Sequence, residues 1–364
     1  MAETLTEQEF VERFGTEKQK EYYAEYGTLQ HSYKQKLIKR AEKYCVVKQL
    51  KNGKYSLTKQ KQVPLNPDYI KSATGLYQYT CPLILDYILN SGKDKTVIGM
   101  VSLAQKSHIV SEYYKTVKQS PDLTSQTFSL NESVAYDCIK HMADTLNYHI
   151  EQTLKYLKQM QLIIYNTNYL VFKSEFRQVV NNDGTIETQR INYQPTIASD
   201  KEMEIYRNAV EEADIYAETK RASERYYSSK AEKWNRKLHE ILLQHNITNM
   251  CEVYEIWTVH SDRCIEYRNA FEHDISKIVN NLAKDFKSKL INNATKRIDN
   301  FRIAEMELRY NFITRICIGN PQLNQRIKNK LKKIKSNVKI NNYSECEITD
   351  LIDDPNKPTI EFHI

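Results

Sequence analysis

The side chains of this 364-residue chain that could do chemistry are cationic, and they gather in two places. From Gln30 to Gln62 there are ten Lys/Arg against one acid, Glu42; from Pro321 to Ile340 there are seven Lys/Arg and no acid. The chain as a whole carries only +7, so the basic excess is local. Clustered lysine and arginine neutralise phosphate oxygens, and such binding weakens with salt because counterions are released. In the first stretch Gln30, Lys34, Lys39 and Arg40 lie on the polar sides of one expected helix. Lys51, Asn52 and Lys54 surround Asn52-Gly53, a hairpin-turn signal. A basic helix followed by a lysine-tipped wing suits phosphate binding in and beside a groove. In the second stretch Arg326, Lys328, Lys330, Lys332, Lys333 and Lys335 surround Leu323, Ile327, Leu331 and Ile334. That is an amphipathic basic helix, suited to phosphate, an anionic surface or an acidic partner.

A second constellation lies between Asn131 and Tyr193. An expected helix from Asn147 carries His149, Gln152, Lys155 and Lys158, and the hairpin after it carries Arg177 and Asn182. Side-chain amides and imidazoles can hydrogen-bond base edges, which makes His149, Gln152 and Gln30 candidate base readers. Charges nearly balance here, so the main phosphate anchor is expected between Gln30 and Gln62.

Other chemistries find little support. There is no phosphate-binding G-x-x-x-x-G-K-[ST] loop, no H-E-x-x-H, no G-x-S-x-G, no G-x-G-x-x-G and no pair of histidines one residue apart. Carboxylates are plentiful but form no distinctive spaced set. His260 and Cys264 stand at i, i+4, a spacing that could bind a metal from one helix face. Cys251 and His273 lie one or two helical turns too far away to complete the site, so neither metal nor cofactor is expected. The seven cysteines are scattered without a C-x-x-C, as for reduced thiols. No run of eighteen apolar residues and no apolar leader occur, so a cytoplasmic protein without membrane contact is expected. A binding protein, not an enzyme, accounts for the pattern.

The elements that must position these groups read mainly as helices, since Gly and Pro number only 8 each. Thr6-x-x-Glu9 and Thr16-x-x-Gln19 are capping boxes, Gly27 is a helix stop and Thr28 a cap for the next helix. That helix keeps Leu29, Tyr33, Leu37, Ala41 and Tyr44 on one side, and Cys45-Val46-Val47 and Tyr55-Ser56-Leu57-Thr58 flank the Asn-Gly turn. Val63-Pro64-Leu65-Asn66-Pro67 reads as a linker. Helices are expected over about Gly75–Leu89 and Lys95–Val117. A helix through Ala135, Cys138, Ile139 and Met142 is expected to turn at Asp144-Thr145-Leu146-Asn147 and continue through Ile150, Leu154 and Leu157. A strand from Tyr169 to about Val180, an Asn181–Gly184 turn and a return strand from Thr185 to Tyr193 follow. From Met203 to His245 an unbroken heptad pattern predicts a coiled coil or an intramolecular bundle, with Lys220 and Glu224 interrupting its seam. Helical pattern is read onward from Asn249 to about Ile318.

Leu37–Thr58 resembles a small N-terminal unit of the winged-helix DNA-binding proteins carried by phages and plasmids of low-GC Gram-positive bacteria. Tyr148–Ile163 is similar to the recognition helix and following strand of their replication-initiator and regulator domains. The resemblance covers roughly the first 190 residues and implies sequence-specific DNA binding for a mobile element.

Together these readings predict a mainly α chain with small β-hairpin wings: two tandem winged helix-turn-helix units, then a helical, partly coiled-coil-like region. The expected segments are a basic winged unit over 1–62, a linker over 63–67, and a second winged unit with supporting helices over 68–197. A helical bundle or coiled coil over 198–320, a basic helix over 321–340 and an acidic tail over 341–364 follow. The expected function is sequence-specific double-stranded DNA binding in replication initiation or transcriptional control. Expected partners are duplex DNA, a second copy through 203–245 and a host replication protein. The alternative is a structural adaptor that uses its helical C-terminal half, with the winged units docking protein.

Overall fold

The computed structural model describes residues 3–42, 45–50, 52–59, 75–93, 95–180, 186–220, 225, 230–258, 261–295, 303–319 and 321–337. The expected 63–67 linker, the Asn181–Gly184 turn, Cys346 and the 341–364 tail lie outside these residues, as does His260.

Local signals govern the N-terminal elements. Strand β1 is Glu3–Leu5, and helices α1 (Glu7–Phe14) and α2 (Glu17–Tyr26) both begin at complete capping boxes, Thr6 with Glu9 and Thr16 with Gln19. Gly27 ends α2 at φ 66°, a left-handed conformation that costs glycine nothing. Helix α3 (His31–Ala41) starts at Gln30, and Thr28 is engaged with Glu7 instead of capping it. Strands β2 (Cys45–Gln49) and β3 (Tyr55–Lys59) are antiparallel, and β1 pairs with β3, giving the order β1-β3-β2. Between them Leu50 and Lys54 pair through the backbone, with Gly53 at φ 77°.

Helix α4 (Tyr77–Asn90) occupies its expected place. The single helix expected over Lys95–Val117 is instead strand β4 (Lys95–Ile98), helix α5 (Met100–Lys106) and helix α6 (Tyr114–Gln119). Thr96, Val97 and Ile98 are β-branched and suit a strand, Gly99 turns the chain at an extended ψ of 155°, and His108 at φ 57° stops α5. Pro121 opens α7 (Pro121–Phe128) from the first turn, where its missing N–H does no harm.

The expected helix-turn-helix at Asp144–Asn147 is not formed. Helix α8 runs unbroken from Glu132 to Gln159. Ala135, Ile139, Met142, Leu146, Ile150 and Leu157 are all buried, so the apolar stripe stays in phase past the polar Asp144, Thr145 and Asn147. No glycine or proline is there to break it.

The hairpin after α8 is formed as expected. Strand β5 (Ile163–Val180) pairs antiparallel with β6 (Ile186–Asn192), Ser174 opposite Asn192 and Val180 opposite Ile186. Strand β7 (Thr196–Ile197) also pairs with β5. The heptad region is two helices, α9 (Asp200–Ala217) and α10 (Ala231–Leu243). Glu218 leaves the helix at φ 55°, two residues before the interruption at Lys220. Ala213, Ala217 and Trp234 pack together, as do Ala209, Ile241 and Leu242, and Lys237 reaches Glu212 at 3.2 Å. The seam that suggested a coiled coil is thus occupied within the chain, by an antiparallel helical pair.

Strand β8 (Ile247–Thr258) replaces the helix expected from Asn249. It lies between β4 and β5 in the sheet ordered β4-β8-β5-β6, and because most of its residues are buried on both faces, Glu255 included, it lacks the strict apolar–polar alternation that would mark a strand. Helices α11 (Ser261–Asn269), α12 (Ile275–Thr295), α13 (Ile303–Cys317) and α14 (Gln325–Asn337) complete the described chain, which is mainly helical.

The chain forms two compact units, each drawn from three segments: Met1–Thr96, Tyr148–Asn166 and Ile256–Leu282; and Val97–Asn147, Thr167–Glu255 and Ala283–Ile364. In the first, Phe10, Phe14, Leu37, Tyr55, Ile164 and Trp257 share a core. Buried Arg268 binds Asp86 at 2.6 Å, and the Thr80 and Thr153 hydroxyls meet at 2.7 Å. In the second unit the Ser111 hydroxyl donates to the Ile316 carbonyl at 2.6 Å, and Val110 bridges to Ile318.

Candidate nucleic-acid interface

The first unit carries the basic residues singled out between Gln30 and Lys158, and it sorts them into three groups. Lys39, Arg40 and Gln30 are exposed at or beside α3, and Asn52 and Lys54 are exposed at the β2–β3 turn. Lys36 on α3 and Lys48 on β2, exposed as well, join this set. The Asn52 side-chain oxygen accepts from the Lys54 backbone N–H at 3.2 Å, which shapes the turn. Lys51 lies outside the described residues.

Lys34 belongs elsewhere. Its ammonium binds Glu7 at 2.9 Å and the Thr28 hydroxyl at 3.1 Å, with both charged side chains mostly buried. Glu7 also accepts from the Leu29 backbone N–H at 3.1 Å, so Lys34 ties α3 to the start of α1. Lys34→Ala is expected to cost about 1 kcal/mol of stability and to leave the salt dependence of polyanion binding unchanged. Urea unfolding together with a binding titration separates the two effects.

The candidates on α8 are placed differently from the sequence expectation. His149 is only 4 % exposed and its ring lies 5.9 Å from that of Tyr77, so it is packing and not a base reader. Gln152 is half-buried, and Lys155 is paired with Glu151 at 3.6 Å. Lys158 turns onto Tyr165: its ammonium donates to the Tyr165 carbonyl at 3.1 Å and lies 4.9 Å from the ring centre. Arg177 belongs to β5, and Asn182 lies outside the described residues.

One basic residue missed in the sequence stands beside these. Lys20, in the first turns of α2, carries a side chain 20 % exposed, close enough for its charge to act on Lys158. Burial, then the charges of Arg40 and Lys20, hold the Lys158 amine below its ordinary pKa. Nothing in the spacing of 20, 40 and 158 could have signalled this.

In the second unit the basic helix forms as expected. Arg326, Lys332, Lys333 and Lys335 are exposed on α14, Lys328 and Lys330 half-buried, while Leu331 and Ile334 are buried. Lys330 donates to the Thr127 carbonyl at 2.8 Å and lies over the Phe128 ring, docking α14 on α7. That leaves the other cations for solvent or a partner.

Among the described residues no group of three or more His, Cys, Asp or Glu is arranged to hold a metal, and no helix is long and apolar enough to cross a membrane. The six described cysteines are buried, and burial pushes the Cys45 thiol up to about 11, which keeps it from being a thiolate near neutrality. No family model, curated protein or solved structure matches the chain.

Proposed function

We propose that the chain is a sequence-specific double-stranded DNA-binding protein of a mobile element, acting in replication initiation or transcriptional control, without catalytic activity of its own. One observation carries the reading. In the first unit a strand, three helices and a hairpin close into a β1-β3-β2 sheet, and the last helix and the hairpin present Lys36, Lys39, Arg40, Lys48 and Lys54 to solvent. A helix and wing with cations on their exposed sides match the two features a winged unit brings to a groove and its flanking phosphates. The association with replication or regulation rests on the resemblance of Leu37–Thr58 and Tyr148–Ile163, and a host replication protein as partner rests there too. With α8 continuous, the winged reading is confined to the N-terminal unit.

Duplex binding followed by fluorescence anisotropy tests this. With about six phosphates contacted, affinity is expected to fall by roughly three orders of magnitude between 50 and 200 mM salt. Lys39→Ala and Lys54→Ala should each make the slope of log K against log salt shallower by about 0.9. Absence of duplex binding at 50 mM salt would remove the proposal. The adaptor reading would then gain ground, with the α9–α10 pair as its contact surface, since Ile215 is 73 % exposed beside exposed Tyr216.

A further inference from the structure

The last turn of α1 is where three otherwise separate parts of the first unit meet. The Arg40 guanidinium donates to the Phe14 carbonyl at 3.2 Å, which brings the end of α3 there. The Asn166 side chain donates to the Glu12 carbonyl at 2.9 Å, which brings the start of β5 there. Tyr165, the neighbour of Asn166, carries Lys158 on its carbonyl and ring, so the end of α8 arrives as well. Only Gly15 and Thr16 separate α1 from α2, and buried Gln19 donates to the Tyr33 carbonyl at 3.0 Å, pinning the start of α2 against α3. Lys20 follows Gln19 directly. With these contacts, and with the charges of Arg40 and Lys20 both acting on Lys158, three cations from α2, α3 and α8 lie in one neighbourhood.

Their company is costly. Carbonyls at the end of α1 favour nearby cations, but only Arg40 spends a hydrogen bond on one of them. Glu17 is 3.6 Å from Lys20 and its side chain is 76 % exposed, a position in which an ion pair contributes little. Glu151, whose charge also reaches Tyr165, is already paired with Lys155. Like charges brought together this way raise the energy of the empty protein, and an anion among them would offset it.

We propose that Lys20, Arg40 and Lys158 together hold one backbone phosphate of the duplex, making the end of α8 a third support for the N-terminal winged unit. This rests on the DNA-binding reading and deepens it. It gives α8 a role different from the recognition helix read in the sequence: its last turn grips the backbone, and its buried face carries no base contacts. The phosphate would be contacted across elements that are 138 residues apart in sequence, from Lys20 to Lys158.

The test uses the full chain and a duplex of about 20 base pairs across a salt series. Because the three cations share one phosphate, the Lys20→Ala/Lys158→Ala double variant is expected to make the slope shallower by up to about 0.9 and each single variant by less, while Lys284→Ala, with loss of one charge at an exposed position of α12, leaves it as in the parent. Removing Lys158 relieves repulsion but also loses its hydrogen bond and ring contact with Tyr165, so its thermal midpoint should stay close to the parent's; Lys158→Gln, which keeps a stem over Tyr165, takes the place of the alanine in the double variant if that fails to fold. A parent that binds duplex while the double variant keeps its slope overturns the three-cation site alone. A parent that does not bind duplex at 50 mM salt overturns the DNA reading and the site with it. A lower thermal midpoint for Lys158→Ala or Lys158→Gln with an unchanged slope assigns Lys158 to folding and likewise overturns the proposal.

Discussion

Asp144→Pro is expected to cost about 3 kcal/mol or more of unfolding free energy. Asp144 is exposed near the middle of the 28-residue helix α8, so the change touches the backbone and little else. Proline there deletes the hydrogen bond from residue 144 to the carbonyl four residues earlier, and its ring collides with that turn. The buried positions on either side, Met142, Ala143 and Leu146, leave the helix little room to bend away. Asp144→Ala supplies the control, since it keeps the N–H and raises helix propensity, and it should be neutral or slightly stabilising. Urea unfolding of the two variants decides between a continuous helix and a turn. Were residues 144–147 a turn, proline would be tolerated nearly as well as alanine, and equal midpoints would reinstate the helix-turn-helix.

Phe10→Ala is expected to cost about 3–5 kcal/mol, a large part of the stability of a typical domain. Phe10 is fully buried, stacked on Tyr55 with ring centres 4.1 Å apart and planes 11° from parallel, and 5.0 Å from the tilted Phe14 ring. It joins α1 to Tyr55 at the start of β3, the central strand of the three-stranded sheet. Truncation leaves a cavity under the surface that presents α3 and the hairpin. Duplex affinity should therefore fall at least tenfold as the unit opens, although residue 10 touches no phosphate. Val46→Ala, at a position 49 % exposed on β2, should change stability by no more than about 0.5 kcal/mol. Phe10→Ala with parental stability would mean that the stacked core is not what holds the sheet.

How much could be read in advance depended on the distance over which each decision is made. Thr6 with Glu9, Thr16 with Gln19 and Gly27 work within a single helical turn, and all were legible. The Asn52-Gly53 turn and the pairing of β5 with β6 were legible for the same reason. Asp144, Thr145 and Asn147 are individually weak helix formers, and judging them one by one suggested a turn. The stripe through Met142, Leu146 and Ile150 outweighed them because burying that face stabilises the helix more than local propensity opposes it. Ile247–Thr258 was misread for the converse reason: a strand covered on both faces loses the alternation that would announce it.

The sequence by itself determined the capping boxes of α1 and α2 and the Gly27 stop, the mainly helical class, the basic stretch around α3 and the amphipathic helix α14. These follow from residues within a few positions of one another, or from composition. Only the tertiary structure decided which lysines are available. Lys34 and Lys39 both belong to the polar sides of α3, yet Lys34 is taken by Glu7 and Thr28 while Lys39 faces solvent. Likewise only the folded chain brings Lys20 and Lys158 into each other's field, and only it withdraws His149 into a ring contact with Tyr77. Spacing along the chain sets which face of an element a side chain occupies; what that face meets depends on packing and hydrogen bonds from other elements, here up to 138 positions away in the case of Lys20 and Lys158.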